Sequence, residues 1–155
     1  MQKSETIVNI AKALVEVQKA IKPAVKDSDN PFFKSKYADL TSVWDACAEA
    51  LALNGLSVIQ LGVPSSAPNM VAISTILMHT SGEWIEGTME APLTKNDAQA
   101  VGSCTTYLRR YGLAAMVGIR TEDDDGAAAS GTVVKGEKHY GAPVATGQGR
   151  VTSRY

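Results

Sequence analysis

Hydrophobic residues recur at helical spacing near the start of the chain. Ile7, Ile10, Leu14, Val17 and Ile21 step by three and four, which puts them on one helix face. The spacing predicts a helix over 4–22, with Ser4 as N-cap and Pro23 as its stop. A stripe this narrow suits a core face and also a seam against a second subunit. A loop is expected over 26–39. A second helix follows over 40–53, capped by Asp39 or Thr41, with Leu40, Val43, Trp44, Cys47 and Leu51 on its apolar side. Asn54-Gly55 ends it as a left-handed stop.

The period then changes to two. Residues 56–63 (LSVIQLGV), 70–79 (MVAISTILMH) and 83–91 (EWIEGTMEA) read as strands, the last two joined by a tight turn at Thr80-Ser81-Gly82. In the third strand Ile85, Gly87, Met89 and Ala91 share the face expected beneath a helix, and Trp84, Glu86, Thr88 and Glu90 share the other. The covering helix comes next, capped by Asn96 or Asp97 and running to about Ala115. Its expected buried side is Val101, Cys104, Thr105, Leu108 and Ala115. Gly118 and the acidic run at 121–126 close the domain. The expected fold class is α+β, an antiparallel three-stranded sheet with a β-β-β-α core packed by helices.

Residues 126–155 break this pattern. They are rich in Gly, Ala, Ser and Thr, hold almost no large aliphatics, and carry Lys135, Lys138, Arg150 and Arg154 against Glu137 alone. The division expected is a folded domain over 1–125 and a Gly-rich, basic, flexible tail over 126–155. The chain as a whole has 155 residues and a formal charge of −1, so bulk electrostatics give no reason to expect nucleic acid. Cys47 and Cys104 are far apart and lack metal-ligand spacing. They read as small buried thiols in a reducing cytosol. The charged start, MQKSETIVNIAK, does not fit a signal peptide, and no apolar run approaches a membrane span. A soluble, cytoplasmic protein is expected.

Enzymatic motifs are missing. There is no P-loop pattern, no paired-histidine zinc motif and no nucleophile elbow. The acids Glu122, Asp123, Asp124 and Asp125 are contiguous, so they fan out rather than converge on a metal. They read as a solvated stop signal, which sets aside a magnesium-dependent nuclease. No cofactor is required by the sequence, magnesium included.

Local charge is more informative. Residues 30–40, NPFFKSKYADL, crowd Phe32, Phe33, Lys34, Lys36 and Tyr37 together, in a chain with only two Phe and five Tyr. At least one phenylalanine is expected to fold back into the core. Rings beside lysines also suit single-stranded nucleic acid, because rings stack on bases of any sequence while ammonium groups follow the backbone. A second candidate is Arg109-Arg110 in the third helix. With Leu108 buried, Arg110 lies about 200° around the helix. Gln99, Ser103 and Thr106 share that side, and Arg109 flanks it. Short polar side chains admit an extended ligand, and guanidinium groups reach phosphate oxygens. Taken alone, an arginine pair on a helix is an ordinary solvated face.

Together, NPFFKSKYADL and QAVGSCTTYLRRYGLAAMVGIRTEDDDG (99–126) resemble the ERF (essential recombination function) family of phage and prophage single-strand annealing proteins. The resemblance spans roughly residues 5–126. Gln99, Gly102, Ser103, Thr106, Tyr107, Arg109, Arg110, Tyr111 and the TEDDDG ending fit the family pattern, while Cys104 and Leu108 stand where alanines are commoner. The resemblance implies ATP-independent annealing of complementary strands in phage homologous recombination by a homo-oligomeric ring or filament. It also implies a fold similar to that of eukaryotic strand-annealing repair proteins. The partners implied are single-stranded DNA and a nascent duplex. Family members often use a C-terminal segment to reach a host single-strand-binding protein, and here that segment is short and basic. On this reading Lys34, Lys36, Arg109 and Arg110 hold a sugar-phosphate backbone, Tyr37 and Phe33 stack on bases, and Ser103 and Thr106 floor the groove. The rival expectation is a protein that coats single strands without annealing them.

Overall fold

The computed structural model of the chain describes residues 1–25, the backbone of 28–29 and 36–37, and residues 38–120. In chain order its elements are β1 (Gln2–Lys3), α1 (Val8–Ala20), β2 (Ser28–Asp29), β3 (Lys36–Tyr37), α2 (Leu40–Leu53), β4 (Leu56–Val63), β5 (Met70–His79), β6 (Trp84–Pro92) and α3 (Ala98–Val117). The main sheet is antiparallel, in the order β1-β6-β5-β4, and β2 pairs separately with β3.

The expected three-stranded sheet is therefore corrected to four strands. The added strand, β1, sets Gln2 opposite Glu86 and Lys3 opposite Ile85. Two residues are too few to show a period, so the strand left no pattern to read. Ser4 extends it: its N–H donates to the Trp84 carbonyl at 2.9 Å, and its Oγ accepts from the Trp84 N–H at 3.0 Å. Ser4 is thus not the N-cap of α1. The helix starts later, after Ile7, which has no side-chain cap.

The cap comes from Glu83, next to β6. Its Oε2 accepts from the Ile10 N–H at 2.8 Å, and its Oε1 accepts from Thr6 Oγ1 at 3.0 Å and from Asn9 Nδ2 at 3.1 Å. Only 7% of the residue is exposed. Burial pushes its pKa up, but the hydrogen bonds from Ile10, Thr6 and Asn9 outweigh this and hold it below the ordinary carboxylate value. A carboxylate is also the favoured charge at a helix N-terminus.

The other elements follow their patterns closely. On α1, Ile10 and Val17 are fully buried, and Ile7, Leu14 and Ile21 pack against the core, while Val8 and Val15 face outward. The predicted stripe is a core face. Asp39 caps α2, accepting from the Ser42 N–H at 2.8 Å. Gly55 takes φ +66° after the helix, and a Cβ there would lie 2.9 Å from Thr80 Oγ1. Cys47 is fully buried, and burial pushes its thiol up to about 11, so it stays protonated and inert. Cys104 is half-buried.

All three helices contribute to one core, with Leu56, Leu77 and Ile85 supplied by the sheet. In β6 the predicted face is covered at Ile85, which packs against the core, and at Gly87, where Met116 Cε lies 3.7 Å from where a Cβ would be, while Met89 is exposed. On α3 the predicted buried side needs correction. Leu108, Gly112, Leu113, Ala114 and Val117 are buried, whereas Val101 and Ala115 are exposed and Cys104 and Thr105 are half-buried. None of residues 98–107 is buried. Full burial is confined to the second half of the helix, and in the first half Cys104 Sγ lies 3.9 Å from the Ala91 carbonyl of β6.

Glu83 gives a test of how α1 is anchored. Glu83→Ala is expected to lower the melting temperature more than Glu16→Ala, whose carboxylate pairs with Lys19 at 2.8 Å on the exposed side of α1. Because the folded-state pKa is depressed, this stabilisation is complete above the unfolded carboxyl value of about 4.3. It is lost as pH falls through the folded value. In melts recorded against pH, the gap between wild type and Glu83→Ala should therefore close in acid. Equal losses for the two variants, or a gap indifferent to acid, would remove Glu83 from this role.

Candidate nucleic-acid interface

The two basic motifs are separate in sequence, and a hydrogen bond from α3 reaches Ala38 near the end of the first. The position of the helix depends on one close approach. A Cβ on Gly112 would lie 2.6 Å from Thr75 Oγ1 on β5, so no larger residue fits without movement. Thr75 Oγ1 accepts from Gln60 Nε2 at 3.0 Å, and the same nitrogen donates to the Arg109 carbonyl at 2.8 Å. This polar chain ties β4, β5 and α3 at one level.

Arg109 and Arg110 are about 100° apart on the helix, so they meet different neighbours. Arg109 turns toward β4, where its Nε donates to Gln60 Oε1 at a long 3.4 Å. Two ion pairs are formed among the described residues, Lys19–Glu16 and Lys22–Glu49, and Arg109 is in neither. Arg110 turns toward the start of α2. Its Nη1 donates to the Ala38 carbonyl at 2.9 Å. Ala38 directly follows β3, so this hydrogen bond pins the end of the ring-and-lysine segment to α3 across 72 positions of sequence.

Arg110 also packs against two rings. Its guanidinium carbon lies 4.6 Å from the Tyr111 ring centroid and 5.7 Å from that of Tyr107. The two tyrosine centroids are 4.4 Å apart, with the rings tilted by 45°. These separations fall in the range of favourable ring–ring and cation–ring contacts. The pair was not among the site residues expected from sequence. The available signal was Tyr-x-x-x-Tyr bracketing Arg-Arg, a spacing that places the rings on one helix side.

The remaining expected residues fall as follows. Ser103 and Thr106 are exposed on α3, with Gln99 and Gly102 beside them. Thr106 Oγ1 donates to the Gly102 carbonyl at 3.1 Å, which turns its hydroxyl hydrogen into the helix. Lys36 and Tyr37 form β3, opposite Asp29 and Ser28. Phe33 and Lys34 lie outside the described residues, as do the acidic run and the tail. An apolar cavity of about 460 Å³ opens between α3 and the sheet near Leu77, Ile85 and Met116. It has no lysine or arginine in its lining and does not suit a polyanion.

No group of three or more His, Cys, Asp or Glu among the described residues could hold a metal ion, and no helix among them is long and apolar enough to cross a membrane. The chain belongs to the ERF superfamily, whose family model matches residues 10–142. The match extends beyond residue 126, where the resemblance read from sequence ends. No curated protein and no solved structure matches the chain. Membership supports a general role in binding and annealing single-stranded DNA, and such annealing proteins are not enzymes.

The Gly112 approach sets the height of both arginines, and this is open to test. Gly112→Ala is expected to destabilise the fold by about 1–3 kcal/mol through overpacking. Adding Thr75→Ala removes the oxygen in the way and should recover part of the loss in a denaturant titration. If Gly112→Ala melts like wild type, the close approach does not constrain α3.

Proposed function

We propose that the chain anneals complementary DNA strands without ATP, as a ring or filament of identical subunits acting in phage recombination. The folded domain over 1–125 carries the strand site, and the tail over 126–155 lies outside it. Each protomer offers a small patch. Arg109, Arg110, Lys34 and Lys36 hold the sugar-phosphate backbone, with Arg110 also holding the Ala38 end of the loop. Ser103 and Thr106 let the strand approach α3 closely, and Tyr37 and Phe33 meet bases. The observation that carries this reading is the Arg110–Ala38 hydrogen bond, which joins the basic helix to the segment of rings and lysines. Family membership supports the annealing role. A formal charge of −1 per chain is no obstacle, because an oligomer repeats the patch along a strand.

Two dye-labelled complementary strands, mixed with the full chain and no nucleotide, test this directly. Pairing faster than in the protein-free control is the expected result. Tight binding with slowed pairing would make the protein a coating protein. No binding at low salt would end the nucleic-acid reading. Arg109→Ala should weaken binding at every sequence and reduce the salt slope by about one. An unchanged slope would take Arg109 out of the groove.

A further inference from the structure

Tyr107 stands out among the aromatic residues of α3. Half of it is exposed, at 50%, next to Leu108, where the buried part of α3 begins. Its neighbours on the outward side are short: Gly102, Ser103 and Thr106 are all exposed, and none rises to cover a ring. Tyr107 makes no hydrogen bond through its hydroxyl to another described residue. The core therefore does not account for this side chain.

The ring is nonetheless held in place. Tyr111 supports it from one helical turn further on, at 4.4 Å between centroids. The Arg110 guanidinium lies 5.7 Å from its centroid and is itself fixed by the Ala38 carbonyl. An aromatic side chain has few rotamers to lose, and one already confined by neighbours loses fewer on binding. The result is a half-exposed aromatic ring, held by its neighbours, with a positive charge beside it.

We infer that Tyr107 is a base-stacking residue of the strand site, with Tyr111 and Arg110 as the residues that position its ring. A base stacked on the open part of Tyr107 would bring its flanking phosphate toward the cation at Arg110, so ring and charge would act on one nucleotide. Stacking of this kind is tolerant of sequence, because every base has a π-face. The inference rests on the single-stranded DNA reading above and assigns it a residue on α3, in addition to those of the loop.

The test uses the full chain with two probes of equal length, a dye-labelled oligothymidylate and the same oligomer with abasic sites throughout. Both carry the same phosphates, and only the first offers bases. Fluorescence anisotropy should show wild type binding the oligothymidylate more tightly. Tyr107→Ala should lose roughly 5- to 150-fold on the oligothymidylate, the range expected for one stacked base. It should lose little on the abasic strand and keep its salt slope. Tyr107→Phe retains the ring and should bind like wild type. Circular dichroism melts of both variants exclude misfolding as the cause of a loss. Unchanged binding by Tyr107→Ala, or an equal loss on both probes, overturns the inference while leaving DNA binding intact. Wild type that binds neither probe overturns the function proposed above along with it.

Discussion

The absence of a side chain at Gly112 is the constraint on which the proposed surface depends. It lets α3 settle against Thr75 at a point where any Cβ would collide. The Thr75–Gln60–Arg109 chain then fixes the rotation of the helix as well as its height. Full burial is confined to the half from Leu108 onward, and residues 98–107 extend about 15 Å before it. The first half has no fully buried residue, and only Ala100, Cys104 and Thr105 in it are partly covered. Its small uncharged residues and the Tyr107 ring are left facing solvent, and the arginines stand where full burial begins.

Two charged side chains do a related job for different segments of the domain. Glu83 accepts the Ile10 N–H at the start of α1, and Arg110 donates to the Ala38 carbonyl just before α2. In each case an ionised group satisfies a backbone group of a distant element. Hydrogen bonds to ionised groups are stronger than neutral ones, and here each joins segments far apart in sequence. Glu83 and Ser4 together fasten the first residues to the β6 edge, which is how so short a strand as β1 persists. Arg110 holds Ala38, a buried residue just before α2.

These distant polar links explain where sequence reading succeeded and where it stopped. Periodicity located α2, β4, β5 and β6 because each is long enough to show its period and has one covered face. The turn at Gly55 and the cap at Asp39 are local chemistry and were legible as such. Ser4 was misjudged because its competitor for α1, Glu83, is far along the chain. Val101 and Ala115 were misjudged because helical periodicity reports which side faces a support, and not how far the support extends. At the site, both motifs were visible in sequence, but the hydrogen bond that unites them spans 72 positions. The tyrosine pair was visible in its spacing and lacked only the knowledge that the core leaves it uncovered.

The division between charge and ring bears on what the proposed site can do with a strand. Phosphate contacts hold a strand without occupying the base edges, whereas stacking withdraws bases from pairing. A protein that stacked every base would protect single strands and oppose their annealing. One with only charges would hold strands without ordering their bases. The described part of α3 offers one exposed ring beside two arginines, and no acid lies anywhere along the helix. With cations outnumbering open rings on this element, most bases along a bound strand would be tethered through their phosphates and remain free to meet a complement. A single stack from α3 per protomer, beside the rings proposed for the loop, would set the strand's register while the phosphate contacts on the same helix leave intervening bases able to pair.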